Sequence, residues 1–361
     1  MRPLPLRADL VGETPYGAPT DAVPVRLNVN ENPYPPPAAV VADMAAELAR
    51  ALPELNRYPD REAGQLRAAL AAYVGRGMTA ANVWAANGSN EVMVQILSAF
   101  AGPGRSVLSF APTYSMYPVY ARDTMTAYRV ADRATDHSID FAVVHREVAA
   151  EPPAVTVVAS PNNPTGTALS TAEVVQLHEA VSADGILIID EAYGEFSTGP
   201  SALDLVPELD RLIVVRTLSK AFGLAGLRLG YAVTSADIVD ALRIVRLPYH
   251  LSATTQATAA AALRHCDVLL APVAEVVAER QQQAEWLRGR GVPVADSHGN
   301  FVFIGPLPDS RGVFTRLLEQ GVLVRETVVP GYLRVSIGTP AENEAFRVAF
   351  GRATTTTGAA S

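Results

Sequence analysis

Residues 211–231 read RLIVVRTLSKAFGLAGLRLGY, an apolar run that closes on Thr217, Ser219 and Lys220, with Arg228 further along. An uncompensated cation is costly to bury, so Lys220 either escapes to solvent or meets a partner. Two upstream segments have the same form. AVTVVAS (154–160) runs into PNNPTG (161–166), and GILIID (185–190) runs into EAYGEF (191–196). Short apolar runs bounded by Gly, Pro and Asn read as buried strands. Between the first two lies STAEVVQLHEAV (170–181), whose Ser170 and Glu173 have capping-box spacing. Asn163, Asp190 and Lys220 follow one another at 27 and 30 residues, about the repeat of a βαβ unit. The expected fold is α/β with a largely parallel sheet, its reactive groups gathered where the strands end.

Outside this centre, the first 37 residues are rich in proline and turn formers and read as an extended arm, 1–37. Helical patterns follow over about 38–52 and through QLRAALAAY (65–73), and strands alternate with helices from Val107 onward. From about Ser252 a long helix within APVAEVVAERQQQAEWLRGRG (271–291) precedes the short strands NFVFIG, VLVRE and YLRVSIG. The expected division is a large domain over 38–251, a smaller α+β domain over 252–352 and a disordered tail over 353–361. At 361 residues the chain is long enough for two such units.

Formal net charge is -8 and no run of five or six basic residues occurs, which argues against nucleic acid or an anionic membrane as the main partner. The single cysteine, Cys266, excludes an intrachain disulfide and a cysteine metal cluster, and reads as a small buried residue. The histidines lack metal-ligand spacing, so His250 and His265 read as structural and no metal is expected. Arg2, Arg7 and Asp9 interrupt any apolar leader, and no apolar run approaches membrane-spanning length. A soluble cytoplasmic enzyme is the expectation.

A desolvated lysine near another cation has a lowered pKa and attacks carbonyls. Asp190 closes an apolar strand, where a carboxylate needs a cationic partner. Asn163 offers an amide at the preceding strand end, and Tyr193 follows Asp190 by three residues. In WAANGSNE (84–91), Gly88, Ser89 and Asn90 precede the helical EVMVQILSAF, the arrangement of an anion site. Each feature alone has an ordinary reading as a cap or a common dipeptide. Together they supply an amine for an aldehyde, a carboxylate for a pyridinium nitrogen, and donors for a phenolate and a phosphate. Those are the requirements of pyridoxal 5'-phosphate (PLP), with Arg228 near enough in sequence to meet the phosphate.

In order, NENP (30–33), RYPD (57–60), GSNE (88–91), SPNNPTG (160–166), DEAYGEF (190–196), TLSKAFGLAGLRLGY (217–231) and YLRVSIG (332–338) resemble the fold-type I, class-II PLP-dependent aminotransferases. More narrowly, they resemble the histidinol-phosphate aminotransferase subfamily in its actinobacterial form. The resemblance extends from about Leu6 to Phe350. It implies transamination of L-histidinol phosphate with 2-oxoglutarate, giving imidazole acetol phosphate and L-glutamate in histidine biosynthesis. An aromatic amino-acid aminotransferase and, less closely, a threonine-phosphate decarboxylase share the scaffold and stay open as alternatives.

The resemblance also implies roles. Lys220 forms the Schiff base and then moves a proton between the substrate Cα and the cofactor. Asp190 pairs with the pyridinium nitrogen, Asn163 and Tyr193 donate to the ring oxygen, and Tyr114 in APTYSMYP stacks on the ring. Ser89, Asn90, Thr217, Ser219 and Arg228 hold the phosphate. Tyr58 reaches the cofactor phosphate of the neighbouring subunit, which implies a homodimer with shared sites. Arg325 and Arg334 lie at the substrate anion, where a guanidinium grips phosphate or carboxylate alike. Tyr16 and Asn30 close over the substrate, with Tyr58 and Asn163 beside it, and Tyr249 is a weaker candidate.

Overall fold

The computed structural model describes residues 4–355 except 16, 18, 20 and 182–184. The arm supplies β1 (Val25–Arg26), followed by α1 (Ala38–Ala51) and α2 (Gly64–Val74). Then come β2 (Val83–Ala86), α3 (Gly88–Phe100), β3 (Ser106–Ala111), α4 (Tyr117–Asp123) and β4 (Ala127–Asp132). The centre of the sheet is β5 (Val155–Ala159), β6 (Ile186–Asp190) and β7 (Leu212–Thr217), with β8 (Gly230–Val233) after them. Seven of these strands form one sheet in the order β2-β8-β7-β6-β5-β3-β4. Strands β3 to β7 are parallel, and β8 runs antiparallel to both of its neighbours.

The apolar runs become strands because both faces of this sheet are covered. Val158, Leu187, Ile189 and Val214 enter one core, while Val157, Ile188, Ile213 and Val215 enter the core on the opposite face. This is the alternation that a pleated strand imposes. The helix Thr171–Val181 starts at the capping box read from sequence, with Ser170 N donating to Glu173 Oε2 at 2.7 Å and Glu173 N to Ser170 Oγ at 3.3 Å.

Strand order also fixes where a ligand can sit. From β3 the chain moves outward to β4, then crosses to the other side of β3 to form β5 and continues to β6 and β7. The crossovers diverge between β3 and β5 and open a crevice at their carboxyl ends.

The remaining strands are β9 (Phe301–Ile304), β10 (Val322–Leu323), β11 (Arg325–Glu326) and β12 (Leu333–Ser336). They make an antiparallel sheet β11-β12-β9 and a parallel pairing of β1 with β10, which ties the arm to this unit. Leu27, Val276, Phe301, Leu323 and Phe346 share its core.

Two boundaries differ from expectation. The helix Ala253–Leu263 packs on α1 and α2, and Leu251, Ala259, Leu263 and Leu269 share a core with Leu70 and Leu187. The change of core therefore falls between Leu269 and Val276, not at 252. The last helix runs Pro340–Thr355 and buries Ala353 against Phe350's cluster, so 353–355 are helical rather than tail. Among the described residues, no helix is long and apolar enough to cross a membrane.

Candidate active site

A cavity of about 420 Å³ opens at the carboxyl ends of β3, β5, β6 and β7. Of the residues singled out from sequence, Ser89, Asn90, Tyr114, Asn163, Asp190 and Tyr193 line it, as do Thr217, Ser219, Lys220, Arg228, Arg325 and Arg334. Asn30 stands behind the lining, Tyr58 lies elsewhere on the surface, and Tyr16 lies outside the described residues.

One end of the cavity is rich in donors. The first turn of α3 brings Ser89 and Asn90 to it, and the loop after β7 brings Thr217 and Ser219. Arg228 Nη1 donates to Ser219 Oγ at 3.3 Å, and Thr217 Oγ1 donates to Ser219 Oγ at 3.0 Å. Asn90 is oriented by Tyr120, whose hydroxyl donates to Asn90 Oδ1 at 2.7 Å. Two glycines make the closeness possible. A Cβ on Gly88, which has a φ of +78°, would fall 2.6 Å from Arg228 Nη2, and one on Gly230 would fall 2.1 Å from Ser89 N. Either side chain would push the helix start away from the guanidinium.

Lys220 lies at the centre, its Nζ donating to Val29 O at 2.9 Å and sitting 5.9 Å from the Tyr193 ring centroid. Burial lowers its pKa to about 8, helped by the positive charges of Arg334 and Arg228 and opposed by Glu31. Asp190 accepts from the Tyr117 hydroxyl at 2.8 Å through Oδ2 and from Ala192 N at 3.2 Å through Oδ1. Burial still pushes its pKa up to about 6 against those two donors. Glu191 and Glu195, in the same DEAYGEF segment, pair instead with the buried Arg216 at 2.6 and 3.0 Å.

The other end is set by the small strands. Arg325 and Arg334 stand directly opposite each other on β11 and β12, which puts both side chains on one sheet face. Arg334 donates to Asn163 Oδ1 and to Asn28 O, both at 2.6 Å. Asn163 Nδ2 in turn donates to the Tyr193 hydroxyl at 3.3 Å, which also accepts from Asn30 Nδ2 at 3.0 Å. Ser336 Oγ donates to Asn30 Oδ1 at 2.9 Å. This relay runs from β12 through the loops after β5 and β6 to the arm. Asn30 is buried within it, one step of the relay behind the cavity lining, and touches the Tyr193 hydroxyl rather than the cavity itself.

Residues 22–350 match the family model for aminotransferase class I and II. The chain belongs to that family. It is 52% identical over 353 residues to the histidinol-phosphate aminotransferase of Thermobifida fusca, covering 97% of this chain and 96% of that protein. It is 48% identical over 356 residues to the protein of the same name from Mycolicibacterium vanbaalenii, covering 97% and 95%. The crystal structure of histidinol-phosphate aminotransferase from Sinorhizobium meliloti in complex with pyridoxal-5'-phosphate superposes with a TM-score of 0.87, at 24% identity and 99% coverage of both chains. That last likeness speaks to the fold.

In this aminotransferase Tyr58 is 78% exposed and stacks on Tyr249, ring centroids 4.4 Å apart and planes 13° from parallel. Neither ring lines the chain's own cavity. His250 and His265 are held structurally, His250 by Ala85 O at 2.8 Å and His265 by Asp43 at 2.7 Å. Cys266 is half-buried, and burial pushes its thiol up to about 11. Sequence reasoning missed the site contributions of Tyr117, Asn28 and the Val29 carbonyl. For Tyr117 the signal lay in APTYSMYP, where it follows Tyr114 by three residues.

Proposed function

We propose that this aminotransferase is PLP-dependent and exchanges the amino group of L-histidinol phosphate with 2-oxoglutarate, giving imidazole acetol phosphate and L-glutamate in histidine biosynthesis. The supporting observation is a single cavity with an anion-binding set at each end and a carbonyl-reactive amine between them. Relatives about half identical over nearly the whole chain are named histidinol-phosphate aminotransferases.

PLP fits the donor set. The helix start, two hydroxyls and Arg228 suit its phosphate, Lys220 its aldehyde, the Tyr193 hydroxyl its ring oxygen, and Asp190 its ring nitrogen. When bound, PLP serves as a sink for the electron pair left at the substrate Cα. The chain's own groups supply the rest. Lys220, neutral in part near its lowered pKa, takes the proton from the substrate Cα and would deliver it to the cofactor carbon that carried the aldehyde, with the reverse transfer in the second half-reaction. Asp190 keeps the ring nitrogen protonated. Tyr193, held by two carboxamides, keeps its hydroxyl aimed at the ring oxygen. Arg325 and Arg334 grip the remote phosphate of one substrate and a carboxylate of the other.

The test compares histidinol phosphate, phenylalanine and threonine phosphate in one coupled assay, with carbon dioxide monitored. Histidinol phosphate should be the preferred substrate. Preference for phenylalanine would favour the aromatic reading, and release of carbon dioxide the decarboxylase. Losing a charged bidentate contact costs about 1.5–3 kcal/mol, or roughly 10- to 150-fold. R325A and R334A should each lower kcat/KM for histidinol phosphate by at least about 10-fold. Histidinol, lacking the phosphate, should be a poor substrate and lose little more in either variant. Equal losses for both substrates would return the arginines to a structural role.

The proposal includes a cytoplasmic homodimer. Exposed Leu52 and Leu55 lead to Tyr58, exposed Ile244 and Leu247 lead to Tyr249, and the two stretches meet at the stacked rings. A joined apolar surface of this kind suits a partner. If Tyr58 completes the neighbour's phosphate site, mixing inactive K220A and Y58A subunits should regenerate activity, since one site of the mixed dimer is intact. With Y58A severely impaired and subunit exchange verified, a mixture that stays inactive removes the shared site.

A further inference from the structure

Tyr117 is 2% exposed, and its hydroxyl donates to Asp190 Oδ2 from the first residue of α4. Its ring meets Tyr114 edge-on, centroids 5.6 Å apart and planes at 86°. Tyr114 lines the cavity while Tyr117 does not; Tyr117 meets the site through its ring contacts with Tyr114 and Tyr120 and through its hydrogen bond to Asp190. We propose that Tyr117 is the positioning residue for Asp190, a hydroxyl donor that fixes the carboxylate's rotamer and keeps it anionic toward the cofactor ring nitrogen without itself reaching the cofactor. This rests on the proposed PLP dependence.

The surroundings explain why such a donor is needed. Burial raises the proton affinity of Asp190 and the neighbouring Glu191 charge adds to it, although Glu191 is paired with Arg216. Only the Tyr117 hydroxyl and the Ala192 amide oppose them, among the groups that act on Asp190. Burial, foremost, and the Asp190 charge hold the Tyr117 phenol well above its ordinary pKa, so it stays a neutral donor throughout the working range. A cationic donor in its place would compete with the pyridinium for the carboxylate; a neutral one orients it and leaves its charge available.

The test uses Y117F, which keeps the buried ring and removes the hydroxyl. In enzyme stripped of cofactor, the Asp190 carboxyl, followed by carbon-13 NMR and assigned by its disappearance in D190N, should titrate about one unit higher in Y117F. PLP affinity should fall about 10-fold in Y117F relative to wild type and not fall further when Y117F is added to D190N. An unmoved Asp190 titration overturns the proposal. A PLP-affinity loss that persists in the D190N background also overturns it, because packing would then be the cause. Should Y117F fail to fold, 3-fluorotyrosine at 117, a stronger donor, should lower the Asp190 titration, and a titration that stays put overturns the proposal equally. If D190N itself leaves PLP affinity untouched, the ring-nitrogen reading fails, while the titration still reports on the hydroxyl.

Discussion

Replacing Lys220 with alanine should lower transamination by more than about 10³-fold while leaving the protein folded and able to hold PLP through its phosphate. Lys220 is the only lysine in the sequence, the remaining Lys/Arg positions all being arginine. No second side-chain amine can substitute for it. Its setting explains why an arginine could not serve: a guanidinium stays protonated, whereas burial, Arg334 and Arg228 bring Lys220 down to about 8. Near neutral pH such a group is neutral far more often than an ordinary lysine. Borohydride, which fixes a carbonyl condensed with an amine, should add the mass of reduced PLP to the wild-type peptide containing residue 220 and leave K220A unlabelled. Methylamine in the assay should restore part of the lost proton transfer. Retention of full activity by K220A would remove the amine from the mechanism.

How much of this is legible from sequence depends on burial. Strands β5, β6 and β7 can be read directly because both of their faces are covered, so nearly every position is apolar, Thr156 and Arg216 excepted, and the polar residues that end or follow each run stand out. Asn163, Asp190 and Lys220 are visible for that reason. Strand β2 escapes recognition: Val83–Ala86 contains two alanines, which carry little strand signal. Strand β8 is hidden inside the lysine–arginine motif, where Gly230 serves the approach to Ser89 rather than the strand. The helix Ala253–Leu263 is ATTQATAAAAL, too rich in small residues to declare which core it joins. Its packing on α1 and α2 is a tertiary choice. Tyr117 and Tyr114 are indistinguishable by composition, and only the geometry of the β3–α4 connection sends one to the cavity and the other to Asp190.

The second large effect belongs to Asp190. D190N should slow exchange of the substrate Cα proton by at least about 10²-fold, the low end of what a positioned proton-transfer apparatus contributes. A neutral amide cannot keep a pyridine nitrogen protonated, so the electron sink is weakened although PLP and lysine are both present. The fold should not suffer, because the amide has the carboxylate's shape and can still accept from the Tyr117 hydroxyl through its oxygen. Linkage gives an independent check. Burial raises Asp190 from 3.8 to about 6, so the folded, cofactor-free protein binds this proton more tightly than the unfolded chain does. The contribution of this group to stability is therefore greatest below about pH 4 and is lost as pH rises to about 6. D190N removes that loss, so at pH 7 the cofactor-free variant should melt no lower than wild type, and the gap between them should narrow on acidification. With PLP bound the order should reverse, since the wild-type carboxylate then has a cation to face. Measuring Cα-deuterium exchange with both melting series separates the chemical role of Asp190 from a structural one. An unchanged exchange rate, or a D190N protein that melts well below wild type without PLP, would mean that this carboxylate holds the fold and not the cofactor.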